Sequence, residues 1–391
     1  MTQVLIVAAE ASSALYAKRL LQLWKSQERN IQAFGIGSRE MEAEGFEIVA
    51  RSEDLAVVGI QEVIAHWGEI KGAFHGLLRA AQSRQPKVAL LLDYPDFNLR
   101  LAKKLKGLGI PVVYYISPQL WAWRSSRVKT VKSFVDKMLV LFPFEVDFYR
   151  RHGVEVEFVG HPLLDELDER YFSEEDFHFR RSRYGIRPGD KLLGLMPGSR
   201  KSELKHHLQV QLETARQLVQ EQPRLKVALL VAPGLDMEFV RSLLPDRLTY
   251  SLILTQAEPF DMIHLCDALV CASGTATLMV GLMQKPMVVM YKMNPLSAFL
   301  AKRFVRSTQH FAMVNLILND RVVPELFQEQ AEPEKLASEL KPQLFDEVRA
   351  SRLKSQLGAL RGALGEQGAT QRVDRALDPY LREADVGVEL R

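Results

Sequence analysis

Residues 191–203 read Lys-Leu-Leu-Gly-Leu-Met-Pro-Gly-Ser-Arg-Lys-Ser-Glu, and they begin with a short apolar run that leads into a glycine-containing turn. A helical pattern follows, so the stretch predicts a buried strand, a tight turn and a helix in that order. Residues 268–277 repeat this arrangement, because Ala-Leu-Val-Cys-Ala leads into Ser-Gly-Thr-Ala-Thr. Strands that are apolar on both faces are typical of a parallel sheet covered by helices. The two stretches therefore predict an α/β fold.

The same alternation extends along the chain in both directions. Apolar runs rich in Val, Ile and Leu predict strands, and amphipathic patterns between them, such as 14–28 and 98–107, predict helices. The predicted strands are 4–8, 87–93, 111–117, 137–142 and 156–160 in the first half, and 191–196, 226–232, 248–254, 268–272 and 286–291 in the second. Residues 165–185 are dense in Asp, Glu and Arg and contain no clear strand, which indicates a connection between domains.

We therefore expect two Rossmann-like parallel-sheet domains that face each other across a cleft. The first is predicted to span residues 1–165 and the second residues 186–350. Residues 351–391 are helical and charged, and we expect these helices to pack back on the first domain. Ligands of open α/β sheets bind beyond the carboxyl ends of the strands, so the residues that follow each strand are the candidates for chemistry.

Composition narrows the class of protein. Hydrophobic residues make up 47% and charged residues 25% of the 391 residues, which excludes a disordered or collagen-like chain. The formal net charge of +3 is too small to indicate a nucleic-acid partner by itself. Cys266 and Cys271 are the only cysteines, which excludes a disulfide framework and predicts two buried, reduced thiols. With no signal-type segment and no run of eighteen apolar residues, we expect a cytoplasmic protein without a transmembrane helix.

Two predicted turns of the second domain suit a phosphate. Gly198 lets the backbone approach a ligand closely, the following helix N-terminus offers free N–H groups, and Arg200 adds a positive charge. In the other turn Gly274 leaves room, and the hydroxyls of Ser273 and Thr275 can donate. Each turn alone is also typical of an ordinary strand–helix connection with a Ser or Thr cap, but together they indicate a nucleotide diphosphate. Neither is a Walker A loop, and no Gly-x-Gly-x-x-Gly follows the first strand, which disfavours a nicotinamide dehydrogenase.

In the first domain, a predicted strand delivers Asp93-Tyr94-Pro95-Asp96-Phe97-Asn98. Two carboxylates and an amide after a strand suit a general base with a positioning partner. Asp96 is equally typical of a helix N-cap, whereas Asp93 ends a buried strand and is harder to explain in that way.

Other polar and aromatic residues allow two interpretations each. Trp121 and Trp123 beside Arg124 suit an apolar wall for a sugar or an acyl chain, and they equally suit core packing. His161 is either a ligand contact or base, or a structural turn residue. His206-His207 on a predicted helix is expected to be a solvated pair. No Asp-x-Asp motif occurs, so no metal of the kind used by metal-dependent sugar-nucleotide enzymes is indicated.

From the first strand to about residue 335, the chain resembles lipid-A-disaccharide synthase, a glycosyltransferase family of the two-Rossmann-domain (GT-B) type. Six segments in the family's order carry the resemblance: 93–98, 117–124, 160–165, 197–200, 272–276 and 324–328. It implies an inverting enzyme that joins UDP-2,3-diacylglucosamine to 2,3-diacylglucosamine 1-phosphate, giving the lipid A disaccharide and UDP. It also implies acceptor binding by the first domain, UDP-sugar binding by the second, and no cofactor or required metal. The expected location is the inner face of the cytoplasmic membrane, as a peripheral protein.

The resemblance also implies roles for individual residues. Asp93 is the expected base, with Asn98 and Glu10 as further catalytic residues. The expected contacts to the UDP-sugar are Ser199, Arg200, Glu203, Ser273, Gly274, Thr275, Ala276, Thr277, Asn315, Glu325 and Gln328. The expected acceptor or sugar wall comprises Ser12, Trp121, Trp123, Arg124 and His161.

Two departures from the family's pattern keep other functions open. Ser13 and Ala14 replace a Gly-Asp pair after the first strand, and Met279 stands where the family has a Glu suited to a ribose hydroxyl pair. The alternatives are a degenerate relative that binds a UDP-sugar or lipid without turnover, and another UDP-sugar-dependent transferase or epimerase of the same fold.

Two segments suit either an anionic membrane surface or core packing. Residues 57–78 are apolar with scattered polar positions, and residues 296–306 combine Phe and Leu with Lys and Arg. The basic residues near the first segment are Arg100, Lys103, Lys104 and Lys106.

Overall fold

The chain folds into two compact units. The computed structural model describes residues 1–52, 67–118, 120, 127–294 and 310–382. The first unit comprises Met1–Asp165 together with the chain from residue 366 onward, and the second comprises Glu166–Gly365. Each unit contains one parallel sheet, so the predicted α/β class with two parallel sheets is confirmed.

The first unit is built on a seven-stranded sheet of order β3-β2-β1-β4-β5-β6-β7. Its strands are β1 (Thr2–Ala8), β2 (Ile31–Gly37), β3 (Glu47–Arg51), β4 (Val88–Leu92), β5 (Val112–Tyr115), β6 (Lys137–Val140) and β7 (Val156–Phe158). Its helices before residue 165 are α1 (Ala11–Ser26), α2 (Arg39–Ala43), α3 (Trp67–Arg84), α4 (Pro95–Gly107), α5 (Val128–Phe134) and α6 (Pro143–Arg151). The whole of β4 is buried, as its five apolar residues predict for a central parallel strand.

The second unit is built on a six-stranded sheet of order β10-β9-β8-β11-β12-β13. Its strands are β8 (Lys191–Met196), β9 (Leu225–Leu230), β10 (Leu252–Thr255), β11 (Ala268–Ala272), β12 (Met287–Tyr291) and β13 (Glu325–Phe327). Its helices are α7 (Glu174–Arg183), α8 (Lys201–Glu221), α9 (Met237–Ser242), α10 (Pro259–Leu265), α11 (Thr275–Leu282), α12 (Met313–Leu318), α13 (Pro333–Phe345) and α14 (Glu347–Ala363). Short 3₁₀ helices occupy Pro162–Glu166, Glu169–Phe172 and Gln328–Gln330.

Three strands were not predicted from the sequence: β2, β3 and β13. The sequence of β2 contains Gly35 and Gly37, and glycine is depleted in strands. At Gly35 the backbone has φ +142°, and a Cβ would lie 2.1 Å from the carbonyl oxygen of Ile6 on β1. Gly35 makes β2 hard to predict from the sequence, because glycine is depleted in strands. The same residue allows β1 and β2 to pair at that point, since it has no Cβ.

The helices at the end of the chain divide between the two units, whereas the sequence analysis grouped residues 351–391 together. Helix α14 belongs to the second unit, because it packs on α11, α12 and α13. It buries three leucines there: Leu353, Leu357 and Leu360.

The last described helix, α15 (Ala369–Leu381), belongs to the first unit and packs on α1. Trp24 on α1 donates its indole N–H to Asp374 Oδ1 at 2.7 Å. Arg29 forms ion pairs with Asp374 and with Asp378. Because Asp374 is buried, this carboxylate fixes the position of α15 on α1.

The charged connection predicted at 165–185 contains helix α7, which packs on α10 of the second unit. Arg180 Nη1 lies 2.8 Å from Asp261 Oδ1, and the buried Arg181 pairs with Asp267 at 3.1 Å. Across the described parts of the chain, no helix combines the length and the apolarity that a membrane span requires.

Candidate active site

The first sheet reverses its strand order between β1 and β4, and ligands of open α/β sheets bind at such a switch point. Ala8 pairs with Leu92 at the carboxyl ends of these two strands. Glu10 and the Asp93-Tyr94 pair follow directly, so the fold brings them to one edge of the sheet. Burial raises the pKa of the Tyr94 phenol, and the charge of Glu10 raises it further. Glu10 and Tyr94 are therefore close enough to interact electrostatically.

Asp93 lies in a left-handed turn. Asp93 has φ +47° and Tyr94 has φ +48°, and Ile116 at the end of the neighbouring β5 has φ +66°. A non-glycine residue in this region costs about 1–2 kcal/mol, and such strain is concentrated at functional sites. The surrounding structure must therefore hold the turn that carries Asp93.

Two buried side chains hold this turn. Asn98 Nδ2 donates to the carbonyl oxygens of Leu92 at 3.1 Å and Asp93 at 2.7 Å. Tyr114 donates its hydroxyl to the same Asp93 carbonyl at 2.5 Å. Because Asn98 is fully buried and its Nδ2 group donates to both carbonyls, it positions the backbone of this turn, and its expected catalytic role stays a prediction. Tyr114 was not a candidate in the sequence, since it looks like any aromatic residue of a buried strand.

Glu10 precedes α1, where its backbone is fixed by Ser13. The Ser13 hydroxyl donates to the Glu10 carbonyl at 2.8 Å and accepts from the Glu10 N–H at 3.0 Å. Ser13 and Ala14 are both buried, whereas Ser12 is half-buried. Ser13 and Ala14, which replace the family's Gly-Asp pair, are therefore packed in the interior.

His161, after β7, is buried and surrounded by aromatic rings. Its ring centroid lies 6.4 Å from that of Tyr16 and 5.6 Å from that of Phe142, and its Nδ1 accepts from the N–H of Leu163 at 3.2 Å. With only 3% of the residue exposed, burial lowers the pKa of His161 to about 3. A base needs a pKa near the working pH, so this environment disfavours His161 as a base, whereas its place in the acceptor or sugar wall stays a prediction.

The remaining predicted wall residues, Trp121, Trp123 and Arg124, lie outside the described residues. The same holds for segment 296–306 and for residues 57–66 of the apolar segment 57–78. The remainder of that segment lies in α3, where Ala73 and Leu77 pack in the core of the first unit.

In the second unit the strand order reverses between β8 and β11, where Met196 pairs with Cys271. The two predicted phosphate turns follow these strands and so meet at one edge. Gly198 has φ +129°, and a Cβ there would lie 2.4 Å from Glu203 Oε2. Only glycine leaves room for this carboxylate.

Glu203 organises the turn of residues 197–200. Its carboxylate accepts the N–H of Ser199 at 2.9 Å and pairs with Arg200 Nη1 at 3.2 Å. The Glu203 side chain is 10% exposed, whereas that of Arg200 is 44% exposed. Glu203 thus accepts the Ser199 N–H and orients Arg200 at the surface, and the contacts of Ser199 and Arg200 with the UDP-sugar stay predictions.

In the turn of residues 273–277, two hydroxyl groups bind backbone carbonyls, whereas Thr275 is exposed. Ser273 donates its hydroxyl to the carbonyl of Phe311 at 3.1 Å, and the buried Thr277 donates to the carbonyl of Gly274 at 2.8 Å. Thr275 is exposed at the first position of α11, and Ala276 is half-buried. The exposed end of α11 is therefore where this turn can meet an anion.

Asn315, Glu325 and Gln328 are all buried and bind the backbone. Glu325 Oε1 accepts from the N–H of Ala312 at 2.8 Å and from Asn315 Nδ2 at 2.9 Å. Gln328 accepts from the N–H of Met293 at 2.9 Å and donates to its carbonyl at 3.1 Å. These three residues therefore shape the backbone around the edge of the second sheet.

His207 contacts the candidate site in a way that the sequence analysis missed, and the expected solvated pair is wrong for it. His206 is exposed, but His207 is fully buried and its pKa is lowered by burial. Its Nδ1 donates to the carbonyl of Pro197 at 2.7 Å, and its Nε2 accepts from the N–H of Lys292 at 3.0 Å. His207 thereby ties the turn after β8 to the end of β12.

Comparison with known proteins decides the family. The family model described as lipid-A-disaccharide synthetase matches residues 4–374. The chain belongs to this family. Curated relatives named lipid-A-disaccharide synthase include one from Geobacter sulfurreducens, 39% identical over 95% of each chain, and one from Koribacter versatilis, 41% identical over 98% of this chain and 100% of the relative.

Solved structures share the fold at low sequence identity. The UDP-GlcNAc 2-epimerase of Neisseria meningitidis has a TM-score of 0.62 at 10% identity, with 97% of this chain and 99% of that chain covered. The glycosyltransferase of kitacinnamycin has a TM-score of 0.60 at 15% identity, with 97% and 98% covered. As a member of the lipid-A-disaccharide synthetase family, the chain is a glycosyltransferase of lipid A biosynthesis. Its described residues contain no cluster of three or more His, Cys, Asp or Glu that could hold a metal ion.

Proposed function

We propose that this lipid A glycosyltransferase joins UDP-2,3-diacylglucosamine to 2,3-diacylglucosamine 1-phosphate with inversion and releases UDP. The observation that carries the proposal is the placement of Asp93 at the switch point of the first sheet, in a left-handed turn held by Asn98 and Tyr114. A carboxylate held in this way suits the proton transfer that activates a hydroxyl.

In the proposed reaction the Asp93 carboxylate takes the proton from the acceptor hydroxyl. The hydroxyl oxygen attacks the anomeric carbon from the face opposite the UDP, so that one displacement inverts the configuration. The negative charge that develops on the leaving diphosphate is stabilised by Arg200 and by the N-terminus of α11 at Thr275. Glu203 contributes by orienting Arg200 and shaping the turn beneath it.

We also propose that the enzyme works as a peripheral protein at the inner face of the cytoplasmic membrane. Both proposed substrates carry two acyl chains, and such molecules reside in a bilayer because burying each CH₂ group contributes about 0.8 kcal/mol. The sugar and phosphate groups then lie at the membrane surface, where a peripheral protein can reach them.

The test is UDP release by the purified protein, given UDP-diacylglucosamine with and without the acceptor. Release that depends on the acceptor is the expected result. Replacing Asp93 with Asn should lower turnover by a factor of about 10²–10⁴ and leave the affinity for UDP nearly unchanged. The matched control is Asp96→Asn, which removes an exposed carboxylate three residues away that pairs with Arg127.

Two results would contradict the proposal. Near-normal turnover of Asp93→Asn would remove Asp93 as the base. UDP binding without acceptor-dependent release would favour the alternative of a relative that binds without turnover, to which the half-buried Met279 and the buried Ala14 point.

A further inference from the structure

A second strained turn lies at the edge of the first sheet, directly after β5. Leu92 and Tyr115, the last residues of β4 and β5, pair with each other, and the Asp93 N–H donates to the Tyr115 carbonyl at 3.0 Å. Residues 116–118 therefore begin beside the turn that carries Asp93. Ile116 has φ +66°, and a β-branched residue in this region is an outlier that the surrounding structure must hold.

Two buried hydroxyl groups hold this second turn. The hydroxyl oxygens of Tyr149 and Ser117 lie 2.8 Å apart, and Ser117 Oγ lies 3.0 Å from the carbonyl oxygen of Pro118. Because each hydroxyl has one proton, both contacts are satisfied when Tyr149 donates to Ser117 and Ser117 donates to Pro118. The direct distance from the Tyr149 hydroxyl to this carbonyl oxygen is 3.4 Å, which is long for a hydrogen bond. Tyr149 therefore acts on the turn through Ser117.

The position of Tyr149 suits a support of the main chain. Tyr149 comes from α6, and both its side chain and that of Ser117 are buried. Burial raises the pKa of the Tyr149 phenol, so the hydroxyl keeps its proton at neutral pH and remains a donor. The Pro118 carbonyl that ends this relay also accepts the N–H of Leu120 at 2.6 Å. The relay thus fixes the chain at the start of segment 117–124.

Tyr149 and Tyr114 support neighbouring turns in the same way. Tyr114 donates to the carbonyl of Asp93 after β4, whereas Tyr149 donates to Ser117 after β5. Burial raises the pKa of Tyr114, and the charges of Asp93 and Tyr149 raise it further, so the two phenols are close enough to interact. They belong to one buried cluster that supports both turns.

We propose that Tyr149 is a positioning residue for the acceptor, because it fixes the start of segment 117–124 beside the turn that carries Asp93. This inference rests on the proposed function and on the acceptor wall that the sequence predicts in this segment. The Tyr149 hydroxyl should determine how well the acceptor binds, whereas Tyr114, which holds the Asp93 carbonyl, should determine how fast the bound acceptor reacts. A residue that only stabilised the fold would not separate these two quantities.

The experiment compares the steady-state kinetics of three variants in neutral detergent micelles, each of which keeps an aromatic ring and removes one hydroxyl. Tyr149→Phe should raise the KM for the acceptor about tenfold, the effect of one hydrogen bond, and leave kcat and the affinity for UDP nearly unchanged. Tyr114→Phe should lower kcat about tenfold and leave the acceptor KM nearly unchanged. Tyr250→Phe is the matched control and should change none of these, because Tyr250 donates to the Leu212 carbonyl at 3.0 Å in the second unit.

A second variant, Ser117→Ala, interrupts the same relay with a smaller change, and it decides the question even if Tyr149→Phe fails to fold. It should raise the acceptor KM to a similar extent. The double variant should be no worse than either single variant, because both substitutions remove one relay. An unchanged acceptor KM, additive effects in the double variant, or an equal loss of kcat and UDP affinity in Tyr149→Phe would overturn the proposal.

Direct binding separates this inference from the proposed function. The probe is 2,3-diacylglucosamine 1-phosphate in neutral detergent micelles, and its binding to the full-length protein is measured by calorimetry. If the wild type binds the probe without releasing UDP, and Tyr149→Phe weakens that binding, the positioning role stands and the proposed reaction fails. If Tyr149→Phe releases UDP with the wild-type acceptor KM, the reaction stands and the positioning role is wrong. A wild type that neither binds nor turns over the acceptor would refute both.

Discussion

Acid should destabilise this protein through His161. Folding holds the pKa of this buried imidazole at about 3, whereas its ordinary value is 6.5. Between these two values the unfolded chain binds a proton that the folded chain does not bind, so the stability of the fold decreases as the pH falls below about 6.5. At about pH 5, which is about 1.5 units below the pKa of the unfolded chain, this proton binding lowers the free energy of unfolding by about 2 kcal/mol, since each unit corresponds to about 1.36 kcal/mol.

The measurement is urea unfolding of the wild type and of His161→Gln, followed by circular dichroism at about pH 7.5 and about pH 5. Gln retains an acceptor for the Leu163 N–H but does not titrate. The wild type should lose about 2 kcal/mol more than the variant on acidification. His207, whose pKa is also lowered by burial, contributes equally to both proteins and cancels in the difference. An identical pH dependence in the two proteins would refute this account of His161.

Three further substitutions test the positioning contacts. Asn98→Ala removes both Asn98 hydrogen bonds to the Asp93 turn and leaves only the one from Tyr114, so it should cost about 2–4 kcal/mol in urea unfolding and lower kcat more than it changes KM. An unchanged kcat would contradict the positioning role. Gly198→Ala places a methyl group against the Glu203 carboxylate and should weaken UDP binding about tenfold or more by calorimetry, while unaltered affinity would show that the turn does not meet the nucleotide. Asp374→Ala removes the acceptor of the buried Trp24 indole N–H and one of the two carboxylates of the half-buried Arg29, so it should cost about 3 kcal/mol in urea unfolding and expose α15 to protease. A variant as stable and as resistant as the wild type would contradict this docking contact.

The central strands and the location of the candidate residues could be predicted from the sequence. Strands β8 and β11 begin and end at the predicted residues, because continuous runs of Leu, Val and Ala bounded by turn residues define a buried parallel strand. The rule that ligands meet the carboxyl ends of such strands then selects Asp93 and Arg200 without any coordinates. The strand β2 could not be predicted, because its Gly35 reflects contact with Ile6, a residue distant in the sequence.

The direction in which each polar side chain points could not be predicted either. Glu325 lies in the last strand, and Gln328 follows it. At both positions the sequence pattern is equally compatible with a side chain that contacts a ligand and with one that contacts the backbone. The structure shows both side chains turned to main-chain groups of residues 293 and 311–312. The burial of His207 could not be predicted for the same reason. Its position on a helix next to His206 does not indicate that its ring binds the backbone of Pro197 and of Lys292.

The return of α15 to α1 has a consequence for how the protein is made. When the ribosome has added Gly365, the second unit is complete in sequence, whereas the first unit still lacks the helix that covers Trp24. The unit that is synthesised first is thus the last to be completed, and its exposed α1 face must be protected from aggregation during about 200 further residues of elongation. Trp24, whose indole meets Asp374 only after α15 has docked, gives a natural fluorescent reporter of that final step.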